Sequence, residues 1–300
     1  MRLSRRILAV IAAIALLFMA QGCAAPPPVT QLTASIYPVY CMLRQLSDGL
    51  SNVGVSCLST VNAGCAHDYQ ITASDRRMLA DSALVALNGA GMEPFLDSIL
   101  PSLTAKIVRT ADTLPLLPGE GEHGEFNPHT WLNPRYASIQ LDTLADTLKA
   151  LLPSQSEAIE RNRANAAESY ASLDAELIAA LLPYAGEAIV TFHPAFEYFA
   201  NAYGLTVAAV LTDDPDAPPS ARELAKVIDI IRDAGIGVIF AERESDLSAA
   251  ETVSRETGAA IRFLDTAAYP MEGVPDTEVY FNAMRNNLAA LLAAFANGNK

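Results

Sequence analysis

The stretch SQSEAIERNRANAAESYASLDAELIAALL, residues 154–182, stands between two halves of the sequence and decides the fold class. Its apolar residues recur at the spacing of one helix face, and its charged residues supply the opposite, solvated face. Pro153 separates it from a second helical pattern over 134–151, because proline disrupts a helix interior. About 29 helical residues reach about 43 Å at 1.5 Å each. We therefore expect one long, rigid helix between two lobes, with a buried face formed by Ile159, Ala166, Tyr170, Leu173, Leu177 and Leu181.

Short runs of β-branched and other apolar residues alternate with helical patterns on both sides of this helix. Four such runs precede it and four follow it. Strands that alternate with helices are typical of α/β proteins with parallel sheets. Each lobe is therefore predicted to be a four-stranded parallel sheet flanked by helices. The predicted strands cover residues 32–36, 53–58, 83–88, 106–109, 188–192, 205–211, 237–241 and 261–264.

The composition agrees with two globular lobes. A chain of 300 residues, of which 51% are hydrophobic and 18% charged, can bury two cores and is neither disordered nor fibrous. Its 34 acidic and 20 basic residues give a net charge of -14. This charge would repel a phosphate backbone, so nucleic acid is not expected as a partner. We predict an N-terminal lobe over 31–153, the linking helix over 154–183 and a C-terminal lobe over 184–300.

The N-terminus has the features of an export signal. Three arginines precede an apolar run over 7–20, which is shorter than the roughly 20 residues of a membrane span. The residues Ala20-Gln21-Gly22-Cys23 resemble a bacterial lipobox, and the prolines that follow favour an extended tether. We expect a signal peptide over 1–22, then a lipidated Cys23 with a tether over 23–30. The protein would be exported and anchored to the outer face of the cytoplasmic membrane, or periplasmic.

Three further cysteines would then stand in a compartment that permits disulfides. Cys57 and Cys65 flank what reads as a strand end and its loop, so they form the candidate disulfide. Cys41 lies in an apolar run and is expected to be a buried side chain.

Three of the four histidines follow predicted strands, directly or through a loop, namely His67, His129 and His193. Asp265 and Glu242 directly follow two other strands. The carboxyl ends of parallel strands are where side chains from several strands converge on a ligand. A single histidine in such a place is usually only hydrogen-bonded, whereas three imidazoles with one carboxylate match a tetrahedral Zn²⁺ site. The pattern leaves both interpretations open.

Four sequence blocks surround these residues: SIYP at 35–38, GCAHDY at 64–69 with SD at 74–75, NPHTWLNP at 127–134, and TFHPAFEYF at 191–199 with YGL at 203–205. Together they resemble the metal-binding solute receptors of bacterial ABC importers, the ZnuA/TroA-like family (cluster A-I). The similarity runs in order along nearly the whole chain after the tether. It implies a metal in the cleft between two lobes, with His67, His129, His193 and Asp265 as its ligands.

The chain departs from the usual residues of this family at several positions near the implied site. Cys65 and Ala66 stand where Asp-Pro is usual, Gln70 where Glu is usual, and Asn127 and Asn133 where Asp is usual. None of these departures removes a ligand, but the lost acids are expected to lower metal affinity or alter the electrostatics of the site. Alternatively, a Cys65 thiolate close to His67 would add a sulfur ligand and make the metal site softer.

The resemblance implies a receptor and not an enzyme. Histidine at position 193 resembles the zinc receptors of the family, and imidazole suits Zn²⁺ better than Mn²⁺. We therefore expect a monomeric extracytoplasmic lipoprotein that captures Zn²⁺ and delivers it to an ABC permease, with Mn²⁺ or another divalent ion as the alternative cargo. No phosphate-binding GxxxxGK[ST] loop occurs in the sequence. The alternatives of other classes are a tethered zinc hydrolase with Glu242 as its base, and a surface adhesin.

One further segment, 117–126, is rich in glycine and acidic residues. It stands where zinc receptors of the family carry a mobile loop rich in histidine and acid, but it is short here. It is either an ordinary solvated loop or a weak capture site for incoming cations. The side chains that would attract a cation are Glu120, Glu122, His123 and Glu125.

Overall fold

The computed structural model describes residues 28–59, 69–119, 125–212, 218–243 and 246–296. The predicted signal segment, Cys23 and most of the tether lie outside these ranges. In the part of the chain that is described, no helix is long and apolar enough to cross a membrane. The strands form two four-stranded sheets, as the alternating pattern predicts.

The first sheet has the strand order β2-β1-β3-β4, and every neighbouring pair is parallel. Its central strands β1 and β3 are almost fully buried, which explains their nearly continuous apolar sequence. The polar residues of β1 find buried partners: the Thr33 hydroxyl lies 2.6 Å from that of Ser82, and Ser35 donates to Glu93 at 2.7 Å. The strands are β1 (Thr30–Ile36), β2 (Val53–Ser59), β3 (Leu84–Leu87) and β4 (Lys106–Arg109).

The second sheet repeats this arrangement with the order β6-β5-β7-β8, again all parallel. Strand β5 therefore lies between β6 and β7, and β8 forms an edge. The eight predicted strands are confirmed, with ends that differ by at most one or two residues. The strands of this sheet are β5 (Ala188–Thr191), β6 (Thr206–Val210), β7 (Val238–Ala241) and β8 (Ala260–Phe263).

The long helix between the sheets, α4, has 26 residues, which corresponds to about 39 Å. All six residues of its predicted inner face are buried. It is shorter than the predicted stretch because prolines tighten both ends into 3₁₀ turns, at Pro153–Gln155 and Leu182–Tyr184. The helices are α1 (Tyr37–Leu46), α2 (Ala73–Ala80), α3 (Pro134–Leu151), α4 (Ser156–Leu181), α5 (Glu197–Tyr203), α6 (Ala221–Ala234), α7 (Ser248–Thr257) and α8 (Asp276–Ala296).

One apolar core extends through both lobes. It includes Leu32 and Leu84 of the first sheet, Leu173 of α4, and Ile189 and Phe240 of the second sheet. Because burial of apolar surface is the main stabilising term in folding, the two lobes are held together by a shared core as well as by the helix. The predicted lobe limits at 31–153, 154–183 and 184–300 stay a prediction.

The C-terminal helix α8 returns to the first lobe. At its N-terminus, Asp276 accepts hydrogen bonds from the hydroxyls of Tyr37 at 2.8 Å and Tyr40 at 3.0 Å. The side chain of Gln45 donates to the backbone carbonyl of Thr277 at 2.9 Å. An acidic residue in the first turn is also favoured by the helix dipole. A helix that follows both sheets in sequence therefore packs onto α1, which belongs to the first lobe.

The two described cysteines lie in a small apolar cluster under this contact. Cys41 and Cys57 are buried together with Tyr37 and Val279, and neither forms a disulfide with another cysteine of the described ranges. Burial raises the pKa of Cys41 to about 12, and it raises the pKa of Cys57 further. The expected burial of Cys41 is confirmed. Cys65 lies outside the described residues, so its pairing with Cys57 stays a prediction.

Candidate metal centre

His129 is held in a fixed orientation by the side chain of Asn127. It lies just before a 3₁₀ turn, Thr130–Leu132, and only 2% of its surface is exposed. Its backbone N–H donates to Asn127 Oδ1 at 3.0 Å, and its ring Nδ1 lies 2.9 Å from the same oxygen. An Nδ1–H that donates to this oxygen leaves Nε2 deprotonated, which is the form of imidazole that binds a metal.

The orientation of the Asn127 amide follows from its other contacts. Its Nδ2 donates to the backbone carbonyl of Pro194 at 2.7 Å and to Glu197 Oε2 at 2.9 Å. Both of these partners are acceptors, so the nitrogen must face them and the oxygen must face His129. Asn127 therefore sets the tautomer of His129 and also joins its loop to the turn that follows β5.

His193 comes from the second sheet, and its Nε2 atom faces the Nε2 atom of His129. It lies two residues after β5, and it is 3% exposed. Its Nδ1 contacts Glu242 Oε1 at 2.5 Å. Glu242 directly follows β7, which pairs with β5. This strand order explains why a carboxylate 49 residues away in sequence supports the ring of His193.

The Nε2 atoms of His129 and His193 lie 3.2 Å apart. Two nitrogen ligands at about 2.0–2.1 Å from one tetrahedral zinc ion would lie about 3.3 Å from each other. The ring planes are inclined at 78°, with centroids 4.9 Å apart. Two imidazoles from different lobes thus meet at a spacing that suits coordination of one cation by both. The Nδ1 atom of each ring already has a partner, Asn127 for His129 and Glu242 for His193.

Asp265 lies near the end of β8 and has its backbone fixed by α8. Its N–H donates to Asn287 Oδ1, and Asn287 Nδ2 donates back to its carbonyl, both at 2.7 Å. Its carboxylate Oδ1 accepts from the N–H of Ala267 at 2.7 Å. Burial, reinforced by the nearby charge of Glu242, raises the pKa of Asp265. A cation beside Asp265 would offset this cost of keeping the carboxylate ionised.

The structure brings together some of the predicted site residues and not others. His129 and His193 meet, and Glu242 supports the second of them. Within the described ranges, no group of three or more His, Cys, Asp or Glu side chains is arranged so that it could hold a metal ion. Asp265 is therefore not assembled with the two histidines into such a group. The predicted His67, Cys65, Glu120, Glu122 and His123 all lie outside the described residues.

The ends of the predicted capture loop are themselves ordered. Pro118 and Phe126 form an antiparallel bridge. Gly119 N–H donates to the carbonyl of Glu125 at 3.0 Å. The N–H of Leu117 donates to the hydroxyl of Tyr198, on α5, at 2.9 Å. The loop thus leaves and re-enters the fold at one point beside the second lobe.

Further hydrogen bonds cross between the lobes near the histidines, and sequence reasoning did not find them. Trp131 Nε1 donates to the carbonyl of Thr266 at 2.8 Å, next to Asp265. Tyr280, on α8, donates to the carbonyl of Trp131 at 2.8 Å. Tyr198 donates to the carbonyl of Asn127 at 2.8 Å. The only signal in the sequence was that most of these residues fall within or beside the blocks that contain the histidines.

A second network of buried hydrogen bonds connects the first sheet to Pro128, the residue before His129. Glu93 accepts hydrogen bonds from Ser35 Oγ at 2.7 Å, and from the N–H groups of Asn88 at 2.7 Å and Gly89 at 3.1 Å. Asn88 Nδ2 then donates to the carbonyl of Pro128, the neighbour of His129, at 2.8 Å. Burial raises the pKa of Glu93 to about 7, although these donors oppose the shift.

Comparison with known proteins adds the following findings. The family described as "Zinc-uptake complex component A periplasmic" matches residues 32–294. The zinc-binding lipoprotein AdcA of Streptococcus pneumoniae is 30% identical over 281 residues, which cover 87% of this chain and 54% of AdcA. The chain thus spans about half the length of the curated relatives that match it first. The two structural matches below cover nearly the whole of their chains.

Solved structures share the fold, among them the following two. A crystal structure of ZnuA is 27% identical with a TM-score of 0.76, over 91% of this chain and 100% of that one. The solute-binding protein FpvC of Pseudomonas aeruginosa, in complex with Ni²⁺, is 25% identical with a TM-score of 0.78, over 90% of this chain and 97% of that one. The predicted α/β fold and the predicted resemblance to metal-binding solute receptors are both confirmed.

Proposed function

The chain belongs to the family of periplasmic zinc-uptake components, and from this membership we propose that it is an exported receptor that captures Zn²⁺ for an ABC permease. The observation that carries the proposal is the 3.2 Å separation between the Nε2 atoms of His129 and His193. The family is one of uptake components and not of enzymes, in agreement with the expectation from sequence. Zinc is the cargo here, and the chain's own side chains supply its coordination.

The proposed ligands are His67, His129, His193 and Asp265. The far nitrogens of the two described histidines are engaged by Asn127 and Glu242, as is usual for metal-binding imidazoles. Asp265 would supply an oxygen from the edge strand of the same sheet, and His67 is carried over from the family resemblance alone. Four protein ligands leave no open position for a reacting water.

Zinc is the proposed ion because three imidazoles and one carboxylate form a borderline donor set. The name of AdcA, a zinc-binding lipoprotein, supports this choice. The FpvC structure, which holds Ni²⁺, shows that a protein with this fold can take another divalent ion. Mn²⁺ or another divalent ion therefore remains the alternative cargo, and geometry must provide the selectivity.

The partner and the location belong to the same proposal. A lipid on Cys23 would hold the receptor at the outer face of the cytoplasmic membrane; the alternative location is the periplasm. The receptor would act as a monomer. Delivery to a permease is what the description of the family as an uptake component implies. The extended tether would let the folded part reach the permease while it stays attached.

Of the alternative classes, the zinc hydrolase is disfavoured by one contact. Glu242, the candidate base, is engaged by His193 Nδ1 at 2.5 Å, so it supports a ligand instead of facing a water. The surface adhesin stays a prediction, because no contact described above bears on it.

Direct metal titration of the chelator-treated protein tests the proposal. We expect one tightly bound Zn²⁺ per chain, displaced poorly by Mn²⁺, with binding weakened at least about tenfold in H129A and H193A. The matched control is N282A, which removes an exposed polar side chain on α8 that bonds only within its own helix. Preference for Mn²⁺ would retain the receptor and refute the choice of zinc. Absence of binding of either ion would refute the receptor.

The loop over 119–125 is proposed to attract incoming cations. Because its two ends are already paired at Pro118 and Phe126, replacing it with two glycines should leave the fold intact. We expect slower zinc loading in stopped-flow measurements, with little change in final affinity. Unchanged loading kinetics would show that the loop is an ordinary solvated turn.

A further inference from the structure

A cavity of about 640 Å³ lies on the second lobe, between the end of β8 and α8. Asp265 forms part of its wall, whereas neither described histidine lines it. The volume falls within the range of about 300–1,000 Å³ that is usual for small-molecule sites. It is larger than a bare metal ion needs, so its purpose is not explained by the metal centre that it adjoins.

Two arginines, Arg243 and Arg262, line this cavity. Other arginines of the chain, such as Arg135 and Arg163, form ion pairs with carboxylates. No ion pair of this kind involves Arg243 or Arg262 among the described residues. The wall thus contains two guanidinium groups and one carboxylate, Asp265, and the charge of Arg243 opposes the rise in the pKa of that carboxylate. The excess of one positive charge makes this a local positive site in a protein with 34 acidic and 20 basic residues.

The side chain of Arg243 is held in place by an aromatic ring. Its guanidinium carbon lies 4.7 Å from the centroid of Phe263, which also lines the cavity. A cation–π contact orients the side chain without a hydrogen bond to its N–H donors. A guanidinium group that is already oriented loses less entropy when it binds a carboxylate in a bidentate manner.

We propose that this cavity, whose wall includes Arg243, Arg262 and Asp265, binds a small organic dicarboxylate. Two guanidinium groups match two carboxylates in charge and in planar geometry. The apolar side chains of Phe263 and Met271 in the wall suit a short hydrocarbon segment between those groups. The side chain of Asn286, also in the wall, adds a polar group for orientation.

The site is coupled to the metal centre through Asp265, and this part of the inference rests on the proposed function. Without a metal, the Asp265 carboxylate repels an anion in the cavity. A divalent cation bound to Asp265 reverses this effect, so each ligand should raise the affinity of the other by the same factor. The receptor would then favour a metal ion that arrives together with an organic acid.

Calorimetric titration of the metal-free protein with succinate tests the anion site without any metal. We expect saturable binding that weakens at least about tenfold in R243Q and in R262Q. The matched control R222Q changes an exposed arginine on α6, outside the cavity, and should bind as the wild type does. Succinamide, the neutral analogue, should not bind.

Several outcomes would overturn the assignment. These are no saturable succinate binding, equal weakening in R222Q, or inorganic phosphate binding as tightly as succinate. All three arginines are exposed, so the variants should fold, and circular dichroism checks this.

The coupling has its own test, in which zinc affinity is measured at buffered free zinc with and without succinate. Succinate should tighten zinc binding in the wild type and not in the R243Q, R262Q double variant. A protein that binds succinate but no zinc refutes the proposed function and not the anion site. A protein that binds zinc with no response to succinate refutes the coupling.

Discussion

Asn127 is predicted to have two separable roles, because its oxygen faces His129 and its nitrogen faces the second lobe. Substitution by alanine removes the buried donor to the Pro194 carbonyl and the acceptor of the His129 N–H. Each such loss costs about 1–3 kcal/mol, so we expect the free energy of unfolding to fall by about 4 kcal/mol. The loss of the partner of His129 Nδ1 should also lower zinc affinity about 10- to 100-fold.

Substitution of Asn127 by aspartate separates the two roles. The carboxylate still accepts from His129, so zinc affinity should stay at the wild-type level or rise. It cannot donate to Pro194, and it places a second negative charge beside Glu197 Oε2, so stability should still fall by about 2–3 kcal/mol.

Urea unfolding of the metal-free protein and competitive zinc titration measure these two quantities. The exposed N282A variant should change stability by less than about 0.5 kcal/mol. A stability loss below about 1 kcal/mol in N127A, or an equal loss of zinc affinity in N127A and N127D, would refute the reasoning.

Three further predictions concern groups that support the site or the core. Glu242→Gln should lower zinc affinity about 10- to 100-fold because it removes the charge behind His193, and an effect no larger than that of the exposed Glu251→Gln would contradict this role. The pKa of Glu93 is about 7 in the folded protein against 4.5 as its ordinary value, so the folded state binds this proton more tightly. The free energy of unfolding should therefore fall by about 3 kcal/mol as pH rises from about 4.5 to 7. In urea titrations, Glu93→Gln should make the free energy of unfolding less dependent on pH over this range. An unchanged pH dependence would show that another group causes it. Cys41 should resist labelling by a thiol reagent at pH 8 until the protein is unfolded, since burial raises its pKa to about 12, and rapid labelling of the native protein would contradict its burial. Mass mapping without reduction would test the separate prediction that Cys57 pairs with Cys65.

The parts of the fold that depend on local pattern were predictable from the sequence. Strand β4 occupies the predicted residues 106–109, and the buried face of α4 consists of the six predicted residues. The ends of α4 were less predictable, because prolines at its borders convert the last turns to 3₁₀ geometry. Whether a terminal turn is α-helical or 3₁₀ depends on its packing, and the spacing of apolar residues does not determine it.

The site was only partly predictable, because its contacts depend on strand order. The position of Glu242 at a strand end followed from the sequence, but its contact with His193 requires that β7 pairs with β5. Likewise, Asn127 stood out only as a departure from a family pattern, and its bonds to Pro194 and Glu197 became visible only when the lobes were assembled. Sequence patterns report which side chains reach an edge of a sheet, whereas tertiary packing decides which of them meet.

The same contacts bear on how a metal would enter. Opening the lobes as rigid bodies would break the bonds from Asn127 to Pro194 and from Trp131 to Thr266. It would also break the bond from Tyr280 to Trp131 and expose part of a core that both sheets share. Each buried bond contributes about 1 kcal/mol, and the apolar area adds more. Because all of these links would have to break, wide hinge opening is a costly route. We therefore expect zinc to load through local movement of the loops around the two histidines, with only small shifts of the lobes.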